Sequence, residues 1–387
     1  MTETATRAAP PVTSLPRRAL WALLGYAGVR ALGLAVLAGW SAARGTSAHK
    51  LLSARWDSLW YARVAGAGYG HEVRLPNGDV HSDLAFFPLL PWLERLLHAL
   101  TSLSCADAGL AVSALASLAA AGGIFALADH LYGARAGVCA VLLWAALPVG
   151  VVQSMAYSES LFTALAAWSL FSVVSGRWVT AGLLAALAGL TRPVGAAVVA
   201  AVWVAAVASS GRTGSADGPG APAWRRVLGA ALAPLGAAGY VLWVGHRTGD
   251  GPLGYLDVQA GWRNGFDGGY AFARFAGRLL TAFPSVLAGV ALITGVVLLL
   301  WLYGAGVRRG QPLALLVYSG VVLALALCAS SYFGSKPRLL LPAFPLLFPL
   351  AEALARARPA RAALLAGTLA AGAAVYGAWW LNGSGPP

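Results

Sequence analysis

The chain has 387 residues, 59% of them hydrophobic and only 11% charged, with a mean hydropathy of +0.70. Soluble domains carry about a quarter charged residues, so this balance excludes an ordinary soluble enzyme and indicates a polytopic membrane protein. The net charge of +13 then points to anionic lipid surfaces or phosphate-bearing ligands, not to nucleic acid.

Residues 1–16 are polar and Pro-rich and read as a disordered cytoplasmic tail. Arg17 and Arg18 lead into the first apolar run, which has no cleavage site, so it reads as an anchored helix and not a removed signal peptide. A span needs ~20 apolar residues. By that measure the runs predict spans near 18–40, 107–130, 137–155, 160–176, 178–191, 194–210, 226–245, 281–303, 312–330, 339–355 and 361–381. Two of these, 178–191 and 194–210, are short and divided by "TRPVG". A proline ends or kinks a helix, so two short helices are expected to meet at Arg192-Pro193. The whole of 1–387 reads as one transmembrane domain. Cys105, Cys139 and Cys328 are too scattered for a disulfide framework or a CxxC metal motif. Arginine supplies nearly all the positive charge, a usage that fits a GC-rich bacterial genome.

Basic residues in short loops set orientation. With the N-terminus inside, Arg7, Arg17, Arg18, Arg135, Arg177, Arg212, Arg225, Arg226, Arg308, Arg309, Arg356, Arg358 and Arg361 all fall on the cytoplasmic side. Three segments, 41–106, 246–280 and 331–338, then face outward across the bacterial plasma membrane. Within the first, "AFFPLLPWLERLLHAL" has helical apolar spacing interrupted by Glu94, Arg95 and His98. That is too polar to span and predicts an interfacial helix. Chemistry is therefore expected at the outer membrane surface.

Five places carry candidate chemistry. Asp57, in "ARWDSLWYARVAGAGYG", lies between Trp56 and Trp60 near the bilayer, where desolvation makes a carboxylate a better base. Its other reading is an acid that caps a short helix and pairs with Arg55 or Arg63. "HEVRLPNGDVHSD" (71–83) holds His71, Glu72, Asp79, His81 and Asp83, but the spacing matches no dedicated metal loop and reads as a solvated turn. No metal and no cofactor is assigned. Glu159, in "QSMAYSESLF", fits an acceptor pocket or, with Ser158, a helix cap. Arg192 stands in an otherwise uncharged apolar stretch, and intramembrane arginine is costly and marks a functional site by default. It reads as a bidentate phosphate clamp or as a side chain snorkelling to the outer surface. Lys336 and Arg338, set before a span by Pro337, suit a lipid phosphate or ordinary anionic headgroups.

"RWDSLWYARVAGAGYG", "LAFFPLLPWLERLL", "AYSESLF", "AGLLAALAGLTRPVG", "GDGPLGYLDVQAGW" and "SKPRLLLPAFPLL" follow one another over residues 17 to 355. In that order they resemble the bacterial relatives of the PIG-V family, which includes the eukaryotic GPI mannosyltransferase that adds the second mannose. The resemblance implies an all-α GT-C glycosyltransferase of about eleven transmembrane helices, whose first outer loop carries interfacial helices and the catalytic acid. The family's Trp-Asp pair falls on Trp56 and Asp57, its Phe-Pro segment on Phe86, Phe87 and Pro88, and its Ser-Glu pair on Ser158 and Glu159. Its Thr-Arg-Pro motif falls on Thr191, Arg192 and Pro193. Asp83 is the one candidate for a second acid near the Phe-Pro segment.

The implied reaction moves a sugar, mannose by the family's habit, from a polyprenyl-phosphate donor to a hydroxyl with inversion. Asp57 would deprotonate that hydroxyl. Arg192, Lys336 and Arg338 would hold the donor phosphate, and Trp56, Trp60, Asp83, Phe87 and Glu159 would line the pocket. The acceptor would be a glycolipid, a protein or a wall polymer. A transporter or flippase of lipid-linked sugars is the rival from another class, although transporters usually show two related halves and no internal repeat is visible. A non-catalytic subunit of an envelope synthase is the third reading.

Overall fold

The structure, a computed structural model, describes residues 15–210, 222–383 and 385. Residues 1–14 of the expected tail, with Arg7, and Arg212 of the basic set lie outside the described residues. A chain this apolar has to satisfy its backbone groups within each segment, and helices do so. Helices accordingly make up most of the described residues. They are α1 (Leu15–Ala43), α2 (Ala48–Ser53), α3 (Asp57–Ala67), α4 (Leu89–Leu100), α5 (Cys105–Tyr132) and α6 (Ala134–Ala145). Next come α7 (Ser158–Val174), α8 (Trp178–Gly189), α9 (Gly195–Ser210), α10 (Ala223–Leu232), α11 (Leu235–Thr248) and α12 (Gly254–Gly261). The last six are α13 (Tyr270–Leu279), α14 (Ser285–Arg308), α15 (Leu313–Cys328), α16 (Lys336–Leu339), α17 (Phe348–Arg356) and α18 (Pro359–Leu381).

Each of the eleven expected spans coincides with a helical segment, and the break at Arg192-Pro193 separates α8 from α9. Their lengths do not by themselves confirm eleven crossings. Five helices are long and apolar enough to cross a membrane: Arg18–Ala43, Cys105–Tyr132, Ala223–Thr248, Ser285–Arg308 and Pro359–Leu381. Counting each bent pair as one span raises this to seven. The helices α7, α8, α9 and α15 have 17, 12, 16 and 16 residues. At 1.5 Å per residue α8 rises about 18 Å, well short of a ~30 Å hydrocarbon core. Apolar composition marked these runs as buried, and composition alone does not separate a span from a short helix inside a bundle.

Both bends have local causes. α6 meets the 3₁₀ turn Pro148–Ser154 at 87°. Proline opens that turn, and Arg30, reaching from α1, donates to the freed carbonyls of Ala145 and Gly150. The segment Phe333–Leu339 meets Phe344–Arg356 at 72°. There the Trp144 indole donates to Leu341 O and the Tyr318 hydroxyl to Pro342 O, replacing bonds that the prolines remove. Glycine permits close crossings elsewhere. A Cβ on Gly182 or Gly236 would run into the backbone of Gly229 or Ala186, which ties α8 to α10 and α11. Leu287, Val290, Ile293 and Val297 on α14, and Leu364, Leu365 and Leu369 on α18, stay exposed as faces for lipid.

The segments between long helices assemble into a cap. In the first, β1 (Glu72–Arg74) and β2 (Val80–Ser82) pair antiparallel, Val73 opposite His81, around a turn in which Gly78 has φ +87°. The short strands β3 (Gly265–Phe266) and β4 (Ala329–Ser330) join the second segment to the third. Arg263 pairs with Asp79 at 2.5 Å, and the Tyr240 hydroxyl donates to Leu84 O and Phe86 O. α4 is amphipathic: Leu90, Pro91 and Glu94 are buried while Trp92, Leu96 and Leu100 are exposed.

Candidate active site

Asp57 opens α3. The preceding Trp56 has φ 52°, a left-handed conformation that costs a bulky residue on the order of 1–3 kcal/mol. Ser58 Oγ closes the turn by accepting from Arg55 N and donating to Arg55 O. The carboxylate of Asp57 pairs with neither neighbour that the sequence offered. Arg55 lies over the Trp56 ring and donates to Leu381 O and Gly383 O, while Arg63 contacts His71.

The partner of Asp57 comes from 281 positions away: Arg338 Nη2 lies 2.6 Å from Asp57 Oδ2. The same guanidinium points its Nε at Glu159 Oε1, 3.6 Å away. Glu159 in turn forms an ion pair with Arg192, whose Nη1 also donates to Ser158 Oγ at 3.3 Å. Ser158 Oγ bonds the Tyr61 hydroxyl at 2.7 Å, and the Tyr157 ring lies 5.1 Å from the Arg338 guanidinium. Ser158 is thus engaged in this network and makes no side-chain cap for α7.

The result is an alternating chain of two acids and two arginines drawn from α3, α7, α16 and the α8–α9 break. The Asp57 side chain is 25% exposed and Glu159 1%, with Arg338 and Arg192 at 11% and 12%. Asp57 is therefore the open end and Glu159 the buried anchor. Arg338 Nη1 is buried and has no hydrogen-bond partner among the described residues.

Lys336 stands apart from this chain. Its amine donates to Ala326 O in the last turn of α15 and to Ala329 O just beyond it, at 2.8 and 2.6 Å, beside the rings of Phe272 and Phe333. Asp83 is also apart. It is fully buried and accepts from the amides of Gly70 and His71, closing the base of the hairpin. Phe87 packs on Tyr240 and Tyr255. Trp60 belongs to an aromatic group with Phe86, His71 and Trp262. His81 stacks on Trp262, and among the described residues no three His, Cys, Asp or Glu side chains gather as a metal-binding set.

Sequence reasoning missed Tyr61, Tyr157, Tyr255 and Trp262. Tyr61 lies one turn beyond Asp57 on α3 and Tyr157 directly precedes Ser158, so helical spacing and adjacency carried a signal for both. Tyr255 and Trp262 lie in "GDGPLGYLDVQAGW", but nothing in the sequence announced that they would pack on Phe87 and Trp60.

A family model described as dolichyl-phosphate-mannose-protein mannosyltransferase matches residues 83–221. A search of curated proteins found no match. Among solved structures, ArnT from Cupriavidus metallidurans bound to undecaprenyl phosphate is similar at a TM-score of 0.54 and 18% identity, over 88% of this chain and 61% of that one. The fold is of the GT-C type. The same ArnT in the apo state gives 0.50 and 19%, over 78% and 54%. An oligosaccharyltransferase from Archaeoglobus fulgidus gives 0.47 and 16%, over 93% and 53%. The chain thus spans about three fifths of the ArnT chain bound to undecaprenyl phosphate. With its long apolar helices, this fold makes the protein a multi-pass membrane protein.

Proposed function

We propose that this chain is a glycosyltransferase of the PIG-V-like branch. It moves a sugar, mannose by first choice, from a polyprenyl-phosphate donor to an acceptor hydroxyl on the outer face of the membrane, with inversion. The observation that carries the reading is the convergence of Asp57, Arg338, Glu159 and Arg192 into one cluster. Burying charge is expensive, and a cluster of this kind is weak evidence for stability. It is better explained by a charged ligand whose phosphate needs cations where it leaves. The ArnT structure of the same fold holds undecaprenyl phosphate, a donor carrier of this class.

In this reading Asp57, the accessible acid, takes the proton of the acceptor hydroxyl as its oxygen attacks the anomeric carbon. The bond from that carbon to the phosphate oxygen breaks on the opposite face, and polyprenyl phosphate departs as an anion. Arg338, through its unpartnered Nη1, and Arg192 receive the charge. Glu159 holds both guanidinium groups in place and does not itself line the sugar pocket. Lys336 fixes the end of α15 and with it the approach of Arg338.

The test is release of polyprenyl phosphate from polyprenyl-phosphate mannose, glucose, galactose and arabinose by the purified full chain in detergent, with membrane glycolipid as acceptor. General-base catalysis contributes ~10²–10⁴-fold, so Asp57→Asn should lose turnover by about that factor while donor binding persists. Turnover of Asp57→Asn within a few-fold of wild type would remove Asp57 from the mechanism. Donor binding without release under any acceptor would favour the flippase.

A further inference from the structure

The second outer segment carries two uncharged amides next to Trp262, which meets the helix that Asp57 opens, and the reaction just proposed gives them no task. Tyr255 on α12 is buried against Phe87. Gln259 Nε2 donates to the Tyr255 hydroxyl, and Gln259 Oε1 accepts from Asn264 Nδ2 at 3.0 Å. This leaves Asn264 Oδ1 and the second hydrogen on each amide nitrogen without a partner among the described residues.

The backbone here is held in an uncommon form. Gln259 O accepts from both Trp262 N and Asn264 N, and Arg263 between them has φ 56°. Apart from glycine, Trp56 and Arg263 are the two residues with positive φ among the described residues, and one precedes Asp57 while the other places Asn264. Strain of this sort persists where the surroundings enforce it, and it clusters at ligand sites. The surroundings do enforce it: Arg263 is tied to Asp79, and Trp262 Nε1 donates to Ser82 O at 3.0 Å. Trp262 then meets the edge of Trp60 at 5.0 Å, on the helix that begins with Asp57.

Half-buried amides beside half-buried indoles are the chemistry that recognises a sugar. The amides read hydroxyls by donating and accepting, and the rings cover its C–H face. We infer that Gln259, Asn264 and Trp262 form the subsite that recognises the hydroxyl pattern of the donor's sugar, an inference that rests on the proposed function. The contact of Trp262 with Trp60, on the helix that Asp57 opens, sets the subsite beside the reacting centre, and the sugar attached to the phosphate is the one whose anomeric carbon must lie there. Gln259 and Asn264 determine which epimer is used, and Trp262 sets how tightly any sugar is held.

The experiment compares kcat/KM for two polyprenyl-phosphate sugars that differ at a single hydroxyl, in wild type, Gln259→Leu, Asn264→Ala and Trp262→Ala. The ratio between epimers does not depend on the fraction of folded protein, so a destabilised variant still reports. A neutral hydrogen bond is worth about a two- to tenfold factor, and each amide variant should shrink the wild-type ratio by about that much. Trp262→Ala should raise donor KM on both epimers alike, and Trp262→Phe should restore most of it. Equal use of both epimers by wild type, or ratios unchanged in both amide variants, would overturn the inference and leave the proposed function standing. A wild type that uses no polyprenyl-phosphate sugar would overturn both.

Discussion

Arg338 pairs with both acids of the site, and no other side chain among the described residues does so. Its planar fork lets one group point Nη2 at Asp57 and Nε at Glu159 while Nη1 stays buried and unpartnered among the described residues, a division of labour that a lysine point charge cannot repeat. A charged hydrogen bond is worth ~1.5–3 kcal/mol, roughly ten- to a hundredfold, so Arg338→Lys should cost at least that in kcat/KM for the donor. Arg192→Lys should cost about the lower end of that range, because Ser158 and Glu159 still receive a cation. Lys336→Gln should leave donor kinetics within a few-fold and act on thermal stability instead, since its amine serves carbonyls at the end of α15. If donor KM for Lys336→Gln rises as far as for Arg338→Lys, that separation fails. The sequence singled out all four members of the cluster, Arg192 because a charge in an apolar stretch is costly enough to need a reason and the others by their places at span ends and in the first loop. It grouped Lys336 with Arg338 because residue type and spacing cannot show which nearby carbonyls are left unbonded. Arg30 escaped for the complementary reason. It was passed over in the first span, yet it satisfies the broken end of α6.

At the level of elements, hydropathy located a helical segment for every expected span, but not the short helices of the connecting segments, and it does not say which apolar helices are long enough to cross. The packing of α8 shows why. Its contacts with α10 and α11 run through glycines, and the site needs Arg192 held just past its end. Gly236→Ala forces a methyl into the Ala186 backbone. Overpacking costs typically ~1–3 kcal/mol, so the melting temperature in detergent should fall by several degrees. An unchanged melting curve would mean that α8 and α11 can slide apart at no cost. α4 carries a second cost that can be measured. Glu94 is fully buried, neither carboxyl oxygen has a hydrogen-bond partner among the described residues, and burial raises its pKa to about 9. A raised carboxyl pKa favours the folded state fully below the unfolded value near 4.5, and this contribution is lost as pH rises toward 9. Glu94→Gln should therefore melt higher than wild type at pH 8, and the gap should close toward pH 4.5. A gap that does not vary with pH would show that Glu94 ionises freely in the folded protein.

Across the whole molecule, four residues meet although some 280 positions separate the first from the last. Asp57, Glu159, Arg192 and Arg338 share one level, and β3–β4 pairing and the Arg263–Asp79 ion pair bring the three polar connecting segments to that level too. Any number of membrane crossings between them must then be even. The short helices satisfy this in either of two ways: α7 and α8 each cross, or the two form a hairpin that enters and returns. Cysteine labelling with a membrane-impermeant maleimide separates these, in a background where Cys105, Cys139 and Cys328 are alanine. With the N-terminus inside, Asp250→Cys should label in intact cells and Arg177→Cys only after permeabilisation. If both label in intact cells, α7 and α8 are a re-entrant pair and the bilayer is thin or dimpled beside them. If Arg177→Cys labels and Asp250→Cys does not, the protein is inverted and Asp57 faces the cytoplasm. The acceptor hydroxyl would then have to be sought on that side.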